Sequence, residues 1–254
     1  MPQFFLPLDA LQEEKFHLKG PEAYHIVKVL RSKIGETLSL FDGKGGKFEG
    51  VIEEIHEDGS VSGRIARTVE SISQRAVDLR LYQGLLKGSH WDYVLEKGTE
   101  LGVTTFIPVL TPRTVVLLRE AERAHAKKER WERVVMAAAK QCQRAQLPKI
   151  EEPVEFRDAI RACAGKGVSL IAWEGLCGAP ARPSLEKALA EAKGGAGAIV
   201  VNVFVGPEGG FSDEEIELAE SVGTTAFGLG PRILRAETAA LAASAIALYE
   251  LGAL

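Results

Sequence analysis

The chain has 254 residues, 46% of them hydrophobic, with 31 Lys and Arg against 35 Asp and Glu and a formal net charge of −4. This suits one large or two modest globular domains that need no covalent staples, and the mild acidity excludes indiscriminate nucleic-acid binding while leaving room for a local basic face. Cys142, Cys163 and Cys177 lack C-x-x-C spacing, and His17, His25, His56, His90 and His125 form no H-x-x-x-H pair, so neither disulfides nor a metal are expected, and no apolar run reaches membrane-spanning length.

The chain opens Met1-Pro2-Gln3-Phe4-Phe5, without the charged and apolar regions of a signal peptide, so a cytoplasmic protein is expected. Residues 1–72 read as a small β-rich domain. Phe4-Phe5-Leu6 is a first strand. Pro21 to Leu30 is a short helix with Ile26, Val27 and Leu30 on one face. Thr37 to Phe41 is a strand that runs into the turn Asp42-Gly43. Phe48 to Ile55 alternates apolar and polar, Gly59 turns the chain, and Val61 to Val69 follows. Short strands at this spacing predict a small barrel. The polar stretch Glu70 to Ala76 predicts a domain boundary.

Residues 73–254 alternate strands with helices, as βαβ units around a mostly parallel sheet do. After the strand Val77 to Gln83, Ser89 is expected to cap a helix with Asp92 at the reciprocal position. Its apolar face is Trp91, Val94, Leu95 and Leu101, and Gly102 stops it. Thr105 to Leu110 is the next strand. Glu120 to Ala145 is a long helix with Trp131, Val134, Val135, Ala138 and Cys142 on one stripe. Residues 119–149 carry nine Lys or Arg against four Glu, where a phosphate backbone could dock. Phe156 to Ala164 is a helix, Val168 to Ala172 a buried strand, and Ser184 to Lys193 a helix closed by Gly194-Gly195.

The most informative stretch is Val205 to Ala239. Ile199 to Val205 is almost wholly apolar, as a strand buried on both faces would be. It runs into Gly206-Pro207-Glu208-Gly209-Gly210, after which Ser212 and Glu215 form a capping box. A second apolar run, Thr225 to Leu229, runs into Gly230-Pro231 and the closing helix, Thr238 to Leu251. Two glycine-bearing loops thus leave strand ends, where ligands bind in open α/β sheets. The first alone reads either as a tight turn or as bare backbone that a ligand approaches. The second, with Arg232, Arg235 and Glu237, favours the ligand. No G-x-G-x-x-G follows a strand, and no G-x-x-x-x-G-K-[ST] occurs.

V-G-P-E-G-G-F-S-D-E-E (Val205 to Glu215) and L-G-P-R-I-L-R-A-E-T-A-A (Leu229 to Ala240) closely resemble the C-terminal signature of the RsmE family. These are bacterial 16S ribosomal RNA uridine N3-methyltransferases of the SPOUT superfamily. Lys87 to Val103, Arg113 to Val116 and Arg130 to Ile150 extend the resemblance, and His25 to Arg31 and Phe41 to Phe48 carry it into the N-terminal region. It implies an α/β fold with a C-terminal SPOUT methyltransferase domain, its sheet mostly parallel and its chain tied in a trefoil knot. A small β-barrel PUA-like RNA-binding domain precedes it. It also implies S-adenosylmethionine as donor, S-adenosylhomocysteine as product, a homodimer packed through the Ala-rich last helix, and 16S ribosomal RNA or the 30S subunit as partner. The sequence departs from the family at Gln3 (usually Arg), Tyr24 (usually His), Gln143 (usually small) and Ala236 (usually Thr).

The resemblance places the donor on Gly206, Pro207, Glu208, Gly209, Gly210, Leu229, Gly230, Arg232, Leu234, Thr238 and Ala239, with Trp173 and Glu174 as a third loop. Trp173 reads as either core or donor contact. Filling the loop, as in Gly209→Val, is expected to abolish donor binding. Uridine N3 must lose an imide proton, and Arg235 is suited to the resulting anion, while Arg232 binds phosphate or base. Glu237 either takes the proton or caps the last helix. RNA contacts are expected from Lys28, Arg31, Lys87, Arg113, Arg130, Arg133, Gln141 and Arg144. Competing readings are a SPOUT methyltransferase with another RNA target and a non-catalytic RNA-binding assembly factor.

Overall fold

The structure, a computed structural model, describes residues 2–69, 77–114, 121–178, 185–190 and 198–254, apart from the side chains of 121–126. The expected boundary at 70–76 lies outside the described residues, as do Val115, Val116, Glu120, Ser184 and the helix end at 191–195. The chain divides into two compact units: Met1–Ile72 with Met136–Leu147, and Ser73–Val135 with Pro148–Leu254.

In the first unit, β1 (Gln3–Phe5), β2 (Leu11–Gln12), β3 (Lys15–Leu18), β4 (Thr37–Phe41), β5 (Lys47–Ile55) and β6 (Val61–Val69) form one sheet. Its order is β1-β4-β5-β6-β3-β2, antiparallel except where β1 lies beside β4. Phe4, Phe16, Leu18, Leu40, Ile52 and Val61 line its core. The hairpin of β2 and β3 has no counterpart in the sequence reading. β2 is too short to show alternation, and its turn is Glu13-Glu14, with Glu13 at φ 55° in place of Gly or Asn. The helix expected over 21–30 is α-helical only at Gly20–Tyr24, then widens into a π-type turn at His25–Val29. Leu30 N–H donates to the His25 carbonyl at 2.9 Å. The extra residue in that turn rotates Leu30 away from the core, so Ile26 is buried while Leu30 is exposed. From Met136–Leu147, Lys140 Nζ stands 2.6 Å from Glu22 Oε1 and 5.9 Å from the Phe4 ring centre.

In the second unit, β7 (Val77–Gly84), β8 (Thr105–Leu110), β9 (Lys149–Ile150), β10 (Val154–Glu155), β11 (Val168–Ala172), β12 (Ile199–Val205) and β13 (Thr225–Phe227) form a parallel sheet. Its order is β10-β8-β7-β12-β11-β13, with β9 beside β8. Alternation along buried strands supplies two cores. Val201, Val203 and Val205 of β12 face the helices Ser89–Leu101 and Ala236–Glu250, while Phe204 turns to Phe156, Phe211 and Ile216 on the other side. This double burial accounts for the apolar run of β12, which only the buried Asn202 interrupts.

Helix ends settle several local expectations. The box at Ser212 and Glu215 is present: Glu215 N–H donates to Ser212 Oγ at 3.3 Å, and Ser212 N–H to Glu215 Oε2 at 2.8 Å. Gly102 ends its helix at φ 116°. Ser89, in contrast, is not a cap. It is the first helical residue, the cap position is Gly88 at φ 56°, and Asp92 pairs with Arg130. The last helix begins at Ala236, earlier than expected. Among the described residues no helix is long and apolar enough to cross a membrane.

Candidate active site

The parallel strands β11, β12 and β13 release three loops from their C-terminal ends, all in the second unit. These loops and the start of the last helix enclose a cavity of about 410 Å³. Its apolar wall includes Val205, Phe211, Leu229 and Leu234, and its charged groups are His90, Glu174, Glu208, Arg232, Arg235 and Glu237. A part-open cleft with an apolar wall and convergent charged groups suits a small molecule.

Fixed contacts shape each wall. The buried Gln83 at the end of β7 donates from Nε2 to the Gly206 carbonyl at 2.9 Å, tying the first loop to the sheet. Glu208 Oε1 accepts the Lys87 N–H at 3.0 Å. Arg113 donates from Nη1 to the carbonyls of Gly209 and Phe211, both at 3.0 Å. In the third loop, Trp173 N–H donates to the Phe227 carbonyl at 3.0 Å, tying this loop to the end of β13.

The two adjacent glycines do different things. Gly210 has φ 66°, and a Cβ on it would lie 2.3 Å from Glu174 Oε1. The Glu174 carboxylate therefore rests on bare backbone inside the cavity, and only Gly permits the approach. Gly209 is not part of the cavity wall, and its missing Cβ points at the Arg113 side chain, 3.0 Å from Arg113 Cβ. A side chain at Gly209 would therefore meet Arg113 first, whereas Gly206 and Gly210 line the cavity itself.

Trp173, Glu174, Gly206, Pro207, Glu208, Gly210, Leu229, Gly230, Arg232, Leu234, Arg235, Glu237 and Ala239 all line this cavity. Thr238 does not; it lines an adjoining depression with Ser89, Tyr93 and Glu96. Trp173 also packs against the Phe156–Phe204 core, so its two readings are compatible. Arg235 is the N-cap residue of the last helix and makes no side-chain capping bond. Glu237 Oε1 instead lies 3.2 Å from His90 Nδ1. Sequence reasoning missed His90 as a site residue although it lies in the Lys87 to Val103 stretch, since it approaches Glu237 only through the fold.

The residues expected to meet RNA fall on both units. Lys28, Arg31, Gln141 and Arg144 belong to the first, and Lys87, Arg113, Arg130 and Arg133 to the second. Lys28, Arg31, Gln141, Lys87, Arg130 and Arg133 are exposed, whereas burial pushes the Arg144 guanidinium below its ordinary range. Arg130 is paired to Asp92, and Arg113 serves the first glycine loop. Among the described residues no cluster of His, Cys, Asp and Glu is arranged to hold a metal.

Comparison with known proteins agrees with this geometry. Residues 73–248 match the family model of an RNA methyltransferase domain, and residues 18–65 that of an RNA methyltransferase PUA domain. The chain is 30% identical to the ribosomal RNA small subunit methyltransferase E of Bacillus subtilis, covering 98% of this chain and 97% of that protein. It is 31% identical to the protein of the same name from Synechocystis, over 93% of this chain and 72% of that one. A crystal structure of a ribosomal RNA small subunit methyltransferase E from Neisseria gonorrhoeae bound to S-adenosyl methionine superimposes with a TM-score of 0.82. It shares 28% identity over 98% of this chain and 97% of that one. With its parallel sheet, its looped cavity and both matched domains, this chain belongs to the ribosomal RNA small subunit methyltransferase E family.

Proposed function

We propose that this chain transfers a methyl group from S-adenosylmethionine to N3 of one uridine in 16S ribosomal RNA. The observation that carries the reading is the Gly210–Glu174 approach in a cavity whose wall also holds Arg232 and Arg235. One end of such a site suits a flat, largely apolar nucleoside held by backbone, and the arginines suit an anionic acceptor. The donor fits the residues present. Val205, Phe211, Leu229 and Leu234 offer apolar walls to an adenosyl group, and Glu174 offers two acceptor oxygens.

When bound, S-adenosylmethionine supplies an electrophilic methyl carbon on a sulfonium. What remains for the protein is alignment and charge. Gly206, Pro207 and Gly210 on one loop and Leu229, Gly230 and Leu234 on the other fix where the methyl carbon points, and orientation of this kind can contribute most of an acceleration. Arg235 stabilises the uridine anion with its permanently charged fork, and Arg232 takes a phosphate or the base. Arg113 supports them by holding the Gly209 and Phe211 carbonyls.

The remaining assignments follow from the same reading. Residues 1–72 form the RNA-binding domain and residues 73–254 the methyltransferase domain, and the protein works in the cytoplasm as a homodimer. Exposed Ile246 and Tyr249 on the last helix support the dimer, since apolar groups on an Ala-rich face favour a partner. Exposed Lys28, Arg31, Lys87, Arg130 and Arg133 supply phosphate contacts. The test is transfer of labelled methyl from S-adenosylmethionine to 30S subunits lacking the modification, to naked 16S RNA and to bulk transfer RNA. Label in 16S RNA of either form supports the reading. Label in transfer RNA alone, or none with any acceptor, overturns it.

A further inference from the structure

We infer that His90 is the general base that removes the uridine N3 proton, with Glu237 as the positioning residue that fixes its ring. This rests on the proposed methylation of N3, which leaves the proton without an acceptor. Arg232 and Arg235 cannot accept it, being permanently protonated. Glu208 is held by the Lys87 N–H, and Glu174 lies against Gly210. Glu237 is largely buried, its side chain 13% exposed, and Oε1 is directed at His90 Nδ1 at 3.2 Å.

That contact sets the chemistry of the imidazole. With Nδ1–H donated to the Glu237 carboxylate, the lone pair is left on Nε2, the arrangement of a histidine base oriented by an acid. The His90 side chain is 48% exposed, so the imidazole is accessible at the mouth of the cavity that it lines. His90, Arg235 and Glu237 line both the main cavity and the adjoining depression, so proton acceptor and anion stabiliser share one mouth. Asp92, Tyr93 and Glu96 face that depression from the helix that carries His90. Across the main cavity stand Glu174, Glu208 and Arg232.

In the step, the N3–H bond breaks and the proton passes to His90 Nε2. The N3 electron pair forms the bond to the methyl carbon, and the methyl–sulfur pair stays on sulfur. The imidazolium, its Nδ1–H directed at Glu237, returns its proton to water. His90, at the start of the helix Ser89–Leu101, and Glu237, in the first turn of the last helix, thus act as one unit although distant in sequence.

The test is single-turnover methylation across pH for wild type, His90→Ala, His90→Gln and Glu237→Gln, with donor affinity measured by calorimetry. Nitrogen-15 histidine spectra report the tautomer. His90→Ala is expected to slow transfer by roughly 10²- to 10⁴-fold. Donor affinity stays within about threefold, a margin of about 0.65 kcal/mol. The wild-type loss of rate in acid gives way to a rate that climbs steadily with hydroxide, and added imidazole restores part of it. His90→Gln, which keeps a donor toward Glu237, is equally slow. Glu237→Gln reduces the rate less and weakens the Nδ1–H preference in the spectra, since the amide oxygen is a poorer acceptor than the carboxylate. A His90→Ala rate within threefold of wild type overturns the assignment and leaves N3 methylation standing. So does a slow variant with unchanged pH dependence and no imidazole rescue. A wild type that binds donor and methylates no uridine N3 overturns both.

Discussion

Gly210→Ala tests the shape of the donor cradle. The substitution has two consequences. Gly210 sits at φ 66°, and an L-residue held in the left-handed region costs about 1–2 kcal/mol. The new Cβ also falls 2.3 Å from Glu174 Oε1 and 2.7 Å from Oε2. The carboxylate is the end of a flexible side chain, so it swings aside and leaves its place in the cavity wall. A fall in Tm of roughly 2–8 °C is expected, at about 2–4 °C per kcal/mol for a protein of this size. With Glu174 as the proposed acceptor for the donor, its displacement weakens binding by about 1.5–3 kcal/mol, or more than tenfold. Gly209→Ala is the control. Its Cβ faces Arg113 at 3.0 Å, outside the cavity, so donor affinity should stay within about threefold. Titration calorimetry with S-adenosylhomocysteine, beside thermal unfolding, reads both. Unchanged affinity in Gly210→Ala, or a larger loss in Gly209→Ala, would refute the cradle.

Other substitutions probe separate parts of the account. Ser212→Ala removes the acceptor of the Glu215 N–H and should cost about 1 kcal/mol in thermal unfolding; no change would mean that the capping box contributes nothing. Gln143 sits exposed at φ 60°, so Gln143→Gly should stabilise the protein by about 0.5–1 kcal/mol, and a lower Tm would show that the Gln side chain matters more than the strain. Burial pushes the Asp78 carboxyl up, but the Thr104 hydroxyl at 2.5 Å and Arg80 outweigh it and hold the group below its ordinary value. A carboxyl depressed on folding adds stability above its unfolded pKa and loses it as pH falls through the folded value. Thr104→Val should therefore cost about 1 kcal/mol at neutral pH, with the gap to wild type narrowing in acid; a gap independent of pH would exclude the linkage. Arg235→Ala should lower the turnover rate by roughly 10²-fold with donor affinity kept, and an unchanged rate would remove it from anion stabilisation.

Much of the fold is legible because burial writes itself into residue type. The apolar run of β12, the stripe through Trp131 and Val135, the box at Ser212 and the stop at Gly102 each carry a local cause. Strand order carries none: that β12 lies between β7 and β11 is decided by long-range packing. Ser89 has the composition of a cap but loses the position to Gly88, because the chain enters the helix with φ 56°. The glycine loops are plain in the sequence, yet which glycine lines the cavity is not. Gly209 and Gly210 are alike as letters and differ only in backbone direction. His90 was hidden for a related reason, since its meaning comes from Glu237, far along the chain.

The central claim is that the cavity at the ends of β11, β12 and β13 delivers a methyl group to uridine N3. The most direct measurement is mass spectrometry of nucleosides from 16S RNA of unmodified 30S subunits treated with enzyme and S-adenosylmethionine, mapped by nuclease fragments. N3-methyluridine is expected at a single position, forming roughly 10²-fold more slowly with Arg235→Ala. Methyl found on ribose, on uracil carbon or on another base would contradict it, as would N3-methyluridine scattered over many positions.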